Sequence, residues 1–177
     1  MGVPNTTIEK AIANCKLSTD TSGIFEVRAP SRAAVIVEVL GKNRGQMETT
    51  LRTIMNKSGG CIEPGILNMF SKKGVIGVSK TDTISLDKAE EDAIEIGAEE
   101  VEEEDDYFVF TTSPDLFPEA LKQIQDRKYE VIHSGVQFIP SVYVEPANKR
   151  DKGLLLLLLK TLEDHPQILS VHHNALL

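Results

Sequence analysis

The sequence predicts an α+β protein built from two α+β domains, one ferredoxin-like and inserted into the other, with a single helix in front. Three observations lead there. The apolar pattern alternates repeatedly between a strand-like period of two and a helical period near 3.6, and in the middle of the chain the order is β-α-β-β-α-β. The segments flanking that middle are each too short to bury a core alone, yet together they supply a β-β-α unit and a returning α-β pair. Charge is partitioned as well. The net charge of −8 over 177 residues combines +5 in residues 1–80, −13 in residues 81–130 and zero in residues 131–177. The expected boundaries are 1–20 for the leading helix and linker, 21–73 with 139–177 for the discontinuous domain, and 74–138 for the acidic insert.

Taken in order, Thr6-Thr7-Ile8-Glu9 reads as a capping box, and Ile8, Ala11, Ile12 and Cys15 form one helical stripe. A polar, turn-rich linker follows to Gly23. Ile24–Val27 and Ala33–Leu40 alternate as strands around the break Ala29-Pro30-Ser31-Arg32. Met47, Leu51, Ile54 and Met55 recur at helical spacing, and Gly59-Gly60 stops that helix. Lys72 and Lys73 stand just before a strand over Val75–Ser79. Leu86, Ala89, Ala93 and Ile94 mark the apolar face of an acidic helix ending at Gly97. Short strands are expected at Ala98–Val101 and Tyr107–Phe110. Ser113 is the expected cap and Pro114 the first residue of the next helix, with Leu116, Phe117, Ala120, Leu121 and Ile124 on its buried side. Val131–Phe138 is a further strand. Ser141–Val144, a leucine-rich helix from Asp151 to Glu163 and a strand over Ile168–His173 complete the chain.

Composition excludes several function classes. Aromatics make up 5% and tryptophan is absent, so there is no stacking platform for unpaired bases. Two cysteines, Cys15 and Cys61, form neither a disulfide framework nor a C-x-x-C pair, and are expected as small core residues of a reduced protein. The apolar run Leu154–Leu159 is six residues long, against about 20 for a bilayer span, so it reads as part of a buried helix and no membrane span is expected. The four histidines show neither H-x-x-x-H nor H-E-x-x-H. His172 and His173 are consecutive on a strand and point to opposite faces. Ser134 beside His133 lacks a G-x-S-x-G setting. Gly59-Gly60 follows a helix and is not a phosphate loop. The run Glu99–Asp106 lacks the pattern and the glycine of a calcium loop, and reads as a solvated hairpin. No catalytic residue, metal site, cofactor or small-molecule substrate is therefore expected.

Several motifs resemble one family. Phe70-Ser71-Lys72-Lys73-Gly74-Val75-Ile76, Ile94-x-x-Gly97-Ala98-Glu99-Glu100-Val101, Phe138-Ile139-Pro140-Ser141 and Leu162-Glu163-Asp164, with His173-Asn174 downstream, are similar to the YebC/PmpR family in order and spacing. Gly2-Val3-Pro4-x-x-Thr7-Ile8-Glu9-x-Ala11 looks most like its mitochondrial branch, the translational activator of cytochrome c oxidase subunit one. The resemblance implies a non-enzymatic protein of gene expression in the mitochondrial matrix, whose partner is the ribosome, its rRNA or mRNA, and ribosomal proteins. DNA, bound by a transcriptional regulator, is the alternative. It also implies a basic N-terminal helical bundle, of which residues 1–20 hold a remnant helix. The family's Gly-Pro-Gly-Gly turn is Ala29-Pro30-Ser31-Arg32 here, where Arg28 and Arg32 substitute charge for bare backbone.

The expected nucleic-acid or ribosome contacts are Arg28, Arg32, Lys42, Arg44, Arg52, Lys57, Lys72 and Lys73, gathered on one basic face. Cations that neutralise phosphates release counterions, which gives affinity without base reading. Reading bases in a groove needs a helix lined with Arg, Asn or Gln. This chain shows no such helix, so a groove-reading DNA regulator is the less expected reading.

Overall fold

The computed structural model describes residues 21–81 and 85–177, so the helix and linker expected within residues 1–20 lie outside the described residues. The described chain divides into two compact units. Residues 21–71 and 139–177 form a split unit; residues 72–138 form an acidic unit.

In the split unit, β1 (Thr21–Arg28) pairs antiparallel with β2 (Ala34–Gly41). A two-residue strand β3 (Cys61–Ile62) adds to the free edge of β1. On the other side β2 pairs antiparallel with β8 (Ile168–His173), with an irregularity between Glu38 and Val39. The sheet order is β3-β1-β2-β8. Two helices cover one face: α1 (Arg44–Ser58) and α4 (Lys149–Glu163). Alternation explains the layering. Phe25 and Val27 of β1 and Val35, Val37 and Val39 of β2 point at Leu51 and Met55 of α1 and at Leu155, Leu158 and Leu162 of α4. Each such side chain, fully buried, is worth about 1.5–3 kcal/mol. Both helices begin on an asparagine cap. Asn43 Oδ1 accepts from Gln46 N at 2.9 Å, and Asn148 Oδ1 accepts from Asp151 N at 2.9 Å.

The reverse face of β2 is buried too, at Ala34 and Ile36, each 0% exposed. Irregular chain covers this side. Glu63 N donates to Glu26 O at 3.0 Å and Leu67 N to Glu26 Oε2 at 2.7 Å, while Ile66 is fully buried. Ser141 N donates to Met69 O at 2.9 Å. Within Ser141–Val144 the pairing is a single parallel bridge between Val144 and Ala175. Asn174, fully buried, accounts for the rest of that attachment: its side chain bonds Ala34 N and Val142 O, replacing ladder bonds.

The acidic unit has β4 (Phe70–Ser79), α2 (Leu86–Ile96), β5 (Glu100–Glu103), β6 (Tyr107–Thr112), α3 (Phe117–Asp126) and β7 (Val131–Pro140). The sheet order β5-β6-β4-β7 is that of a ferredoxin-like split βαβ unit. Ile76, Val78, Phe108 and Phe110 face Ala89, Ala93, Ala120 and Ile124. Gly97, with φ of 73°, closes α2 in the left-handed region a side chain disfavours. On the opposite sheet face a Cβ at Gly77 would lie 2.1 Å from the His133 ring, so only glycine leaves room for that histidine. Tyr107 meets the same ring edge-on at 5.7 Å.

Four local expectations change. Strand β4 begins at Phe70, so Lys72 and Lys73 lie within it and not before it. Helix α3 is entered at Phe117, with Pro118 in its first turn. The Ser113 carbonyl instead accepts from the backbone N–H groups of Leu116 and Phe117, making Ser113–Leu116 a turn and leaving Leu116 exposed. Cys61 is exposed on edge strand β3 and is no core residue; Cys15 lies outside the described residues. Ile94 is 80% exposed, on the outer side of α2. In α4, Leu155, Leu158, Leu159 and Leu162 are buried, but Leu156 and Leu157 point outward.

Candidate nucleic-acid interface

The two helices of the split unit carry its positive charge. Helices α1 and α4 together hold seven Lys/Arg against three Asp/Glu. The described residues of the whole split unit hold ten against eight. A net +4 on the helical layer therefore stands against −2 elsewhere in that unit. Outward positions of α1 are Arg44, Gln46, Thr49, Arg52, Thr53, Asn56 and Lys57. This is a helix face with Arg, Gln and Asn, which burial reveals and the linear pattern does not. Amides and guanidinium groups of this kind can reach base edges as well as phosphates.

Between the helices runs a groove of about 410 Å³, lined by Thr49, Thr50, Thr53, Ile54, Lys57, Thr161 and His165. Thr50 Oγ1 donates to Gln167 Oε1 at 3.1 Å, and Gln167 N donates to His165 Nδ1 at 3.2 Å. With Nδ1 accepting, the neutral imidazole carries its proton on Nε2. The groove thus presents two donors suited to an anionic oxygen, the Lys57 ammonium and the His165 ring.

The eight expected contact residues separate into groups. Arg28 ends β1, where its guanidinium pairs with Glu63 through bonds of 3.0 and 3.3 Å and donates to the Arg32 carbonyl at 3.1 Å. The Glu63 carboxylate keeps the Arg28 pKa above its usual value. Arg32 is exposed in the adjoining turn, where Ser31 and Arg32 both have φ of 61°. Ser31 fastens this turn to the start of α4: its Oγ accepts from Ala147 N at 3.1 Å and donates to Asp151 Oδ2 at 3.3 Å. Lys42 and Arg44 lie at the far end of the β1–β2 hairpin, about 23 Å away at 3.3 Å per residue. Arg44 sits 4.7 Å over the Phe25 ring. Arg52 is bound to Glu48 one turn back at 2.6 Å, an exposed pair worth about 0.3–0.5 kcal/mol and readily exchanged for a phosphate. Lys57 opens on the groove.

Lys72 and Lys73 belong to the acidic unit, which holds 7 Lys/Arg against 17 Asp/Glu. Lys73 is ion-paired with Glu99, and Lys72 lies 5.9 Å over the Phe138 ring. Lys80 likewise pairs with Glu103 at 2.5 Å. Lys73 and Lys80 thus neutralise local carboxylates. Sequence reasoning passed over Lys149, Arg150, Lys152 and Lys160 on α4. The signal was present as Lys-Arg-Asp-Lys directly after the Asn148 cap.

The most perturbed group elsewhere is structural. Tyr129 donates to the buried Asp92 carboxylate at 2.5 Å; burial first, then that hydrogen bond, push the phenol pKa up. Arg127 and Lys88 complete the neutralisation of Asp92 at 3.4 and 3.7 Å. The cluster joins α2 to the end of α3. No group of three metal-ligating side chains occurs among the described residues. No helix among them is long and apolar enough to cross a membrane.

Comparison with known proteins agrees with this architecture. A family model described as the TACO1/YebC second and third domain matches residues 21–175. A "Probable transcriptional regulatory protein" of Listeria monocytogenes serotype 4b is 33% identical over 187 residues, covering 99% of this chain and 75% of that protein. One of the same description from Acetivibrio thermocellus is 29% identical over 178 residues, covering 97% and 74%. The crystal structure of the conserved hypothetical protein Aq1575 from Aquifex aeolicus superposes with a TM-score of 0.77 at 24% identity, over 90% of this chain and 66% of that one. That likeness concerns the fold alone. The chain spans about three quarters of the length of these two relatives.

Proposed function

This chain belongs to the TACO1/YebC family, and on that footing we propose that it is a non-catalytic regulator of gene expression that binds nucleic acid through α1 and α4 of its split unit. The observation that carries the reading is the concentration of that unit's positive charge on one helical layer, beside a groove offering Lys57 and His165. Binding there is chiefly to phosphates and falls with salt. DNA is the first target to test, since the relatives are described as probable transcriptional regulatory proteins. Gln46, Arg52 and Asn56 give α1 the side-chain types that base-edge contacts require.

A second reading is favoured by a separate observation. The acidic unit, at −10, is repelled by any polyanion and complements basic protein surfaces. A ribosome offers both, rRNA for the helical layer and basic proteins for the acidic unit. In that reading the protein is a translational activator of the mitochondrial branch, as the motif from Gly2 to Ala11 suggests. Footprinting on duplex DNA and co-sedimentation with ribosomes, each across a salt series, separate the two. Protected sequence that persists at physiological salt supports the DNA reading. Co-sedimentation without protection supports the ribosome reading. Binding to neither, at low salt, overturns both.

A further inference from the structure

Two of the exposed apolar features among the described residues have opposite electrostatic surroundings. On α2, Ile94 is 80% exposed, the most exposed of the large apolar side chains among the described residues, and Glu90 and Glu91 lie one helical turn before it. On α4, Leu156 and Leu157 are 44% and 50% exposed, with Lys152 and Lys160 one turn before and after Leu156. Gly153 lies on the same outer side, one turn ahead of the leucines. A Cβ there would meet nothing within 4 Å. The fold has no need of a glycine at this position, and glycine weakens a helix interior. What it provides is a notch beside two leucines and between lysines.

We propose that this chain self-associates by seating Ile94 of one copy, with its flanking carboxylates, in the Gly153–Leu156–Leu157 notch of a second copy. The knob is acidic-rimmed and the socket basic-rimmed, so the contact is heterologous. A heterologous contact leaves one knob and one socket open on each pair, so association continues head to tail. A contact between two helices is small, so the association is weak and concentration-dependent. The rim lysines Lys152 and Lys160 also belong to the layer proposed for nucleic acid, so the two surfaces overlap on α4, but Ile94 and the leucine pair offer a phosphate no partner, and their substitution reads self-association alone.

Sedimentation of the full chain over a wide concentration range tests this. The expected result is a concentration-dependent self-association at about 0.1 M salt that weakens at about 1 M, as the Debye length falls from about 10 to about 3 Å. Ile94→Ala weakens it about tenfold, the scale of one buried anchor. Leu156→Ala/Leu157→Ala does the same. An equimolar mixture of these two variants associates more strongly than either alone, because one undamaged knob meets one undamaged socket. Gly153→Ala gives the sharpest reading. It raises the melting temperature and lowers the self-affinity together, which a purely structural glycine would not do. A monomer at every concentration overturns the proposal. So does self-association whose affinity is unchanged by Ile94→Ala and Gly153→Ala.

Discussion

Replacing Asn174 by alanine removes two hydrogen bonds at one buried point. Asn174 is fully buried; its Oδ1 accepts from Ala34 N at 2.8 Å and its Nδ2 donates to Val142 O at 3.0 Å. The truncation leaves both backbone groups without partners. Ala34 is itself 0% exposed, so its N–H takes the full penalty, about 2–3 kcal/mol. Val142 is 61% exposed, so water can reach its carbonyl and the loss there is at most about 1 kcal/mol. The expected total is about 3 kcal/mol for Asn174→Ala, a large share of the stability of a small domain. Urea unfolding followed by far-ultraviolet circular dichroism measures it as a lower midpoint at unchanged slope. Where the two units melt separately, only the split unit's transition moves. A loss below about 1 kcal/mol would show that the Asn174 side chain is not the clamp between β2 and the returning segment, and that the backbone bond from Asn174 N to Ala34 O at 3.1 Å and the bridge at Val144 suffice.

Other perturbations have equally definite signs. Burial pushes the imidazole pKa values of His172 and His173 below their ordinary range, so the unfolded chain binds more protons than the folded one as pH falls through that range. The split unit is therefore expected to hold its full stability above about pH 6.5 and lose it on acidification, and His172→Gln/His173→Gln flattens that dependence in denaturation curves taken at several pH values. Gly77→Ala forces a methyl onto the His133 ring, and calorimetry should show about 1–3 kcal/mol of destabilisation, partly rescued by adding His133→Ala. Arg52→Ala, which removes only an exposed pair with Glu48, changes stability by less than about 0.5 kcal/mol in the same assay, while weakening nucleic-acid binding.

The fold was more legible in the residues than the interface. Helices α1, α2 and α4 each carry four or more apolar side chains at helical spacing beside a capping Asn or Ser, so they could be read from the sequence. The helix α3 boundary was displaced because Ser113-Pro114 suits a turn as well as a cap, and Pro118 offers a second start four residues on. Ile94 fits the apolar stripe of α2 by spacing, yet Ala89, Ala93 and Ile96 fill the buried side and leave it outside. For the interface, counting cations along the chain could not show which were already spent. Arg28 and Lys73 are held by Glu63 and Glu99, partners 35 and 26 residues away in sequence. Lys149, Arg150, Lys152 and Lys160 join Lys57 and Arg52 on one layer only because the chain returns to the split unit after residue 138.

Fluorescence anisotropy of a labelled duplex, and of an rRNA fragment, across a salt series tests the central claim most directly. Each phosphate neutralised on a duplex contributes about −0.9 to the slope of log affinity against log salt. The account predicts a slope corresponding to several phosphates on one of the two probes. It predicts losses of about one phosphate each for Lys57→Ala and Arg150→Ala, and no change for Lys73→Ala. A slope near zero on both probes, or a loss on Lys73→Ala equal to that on Lys57→Ala, would contradict it.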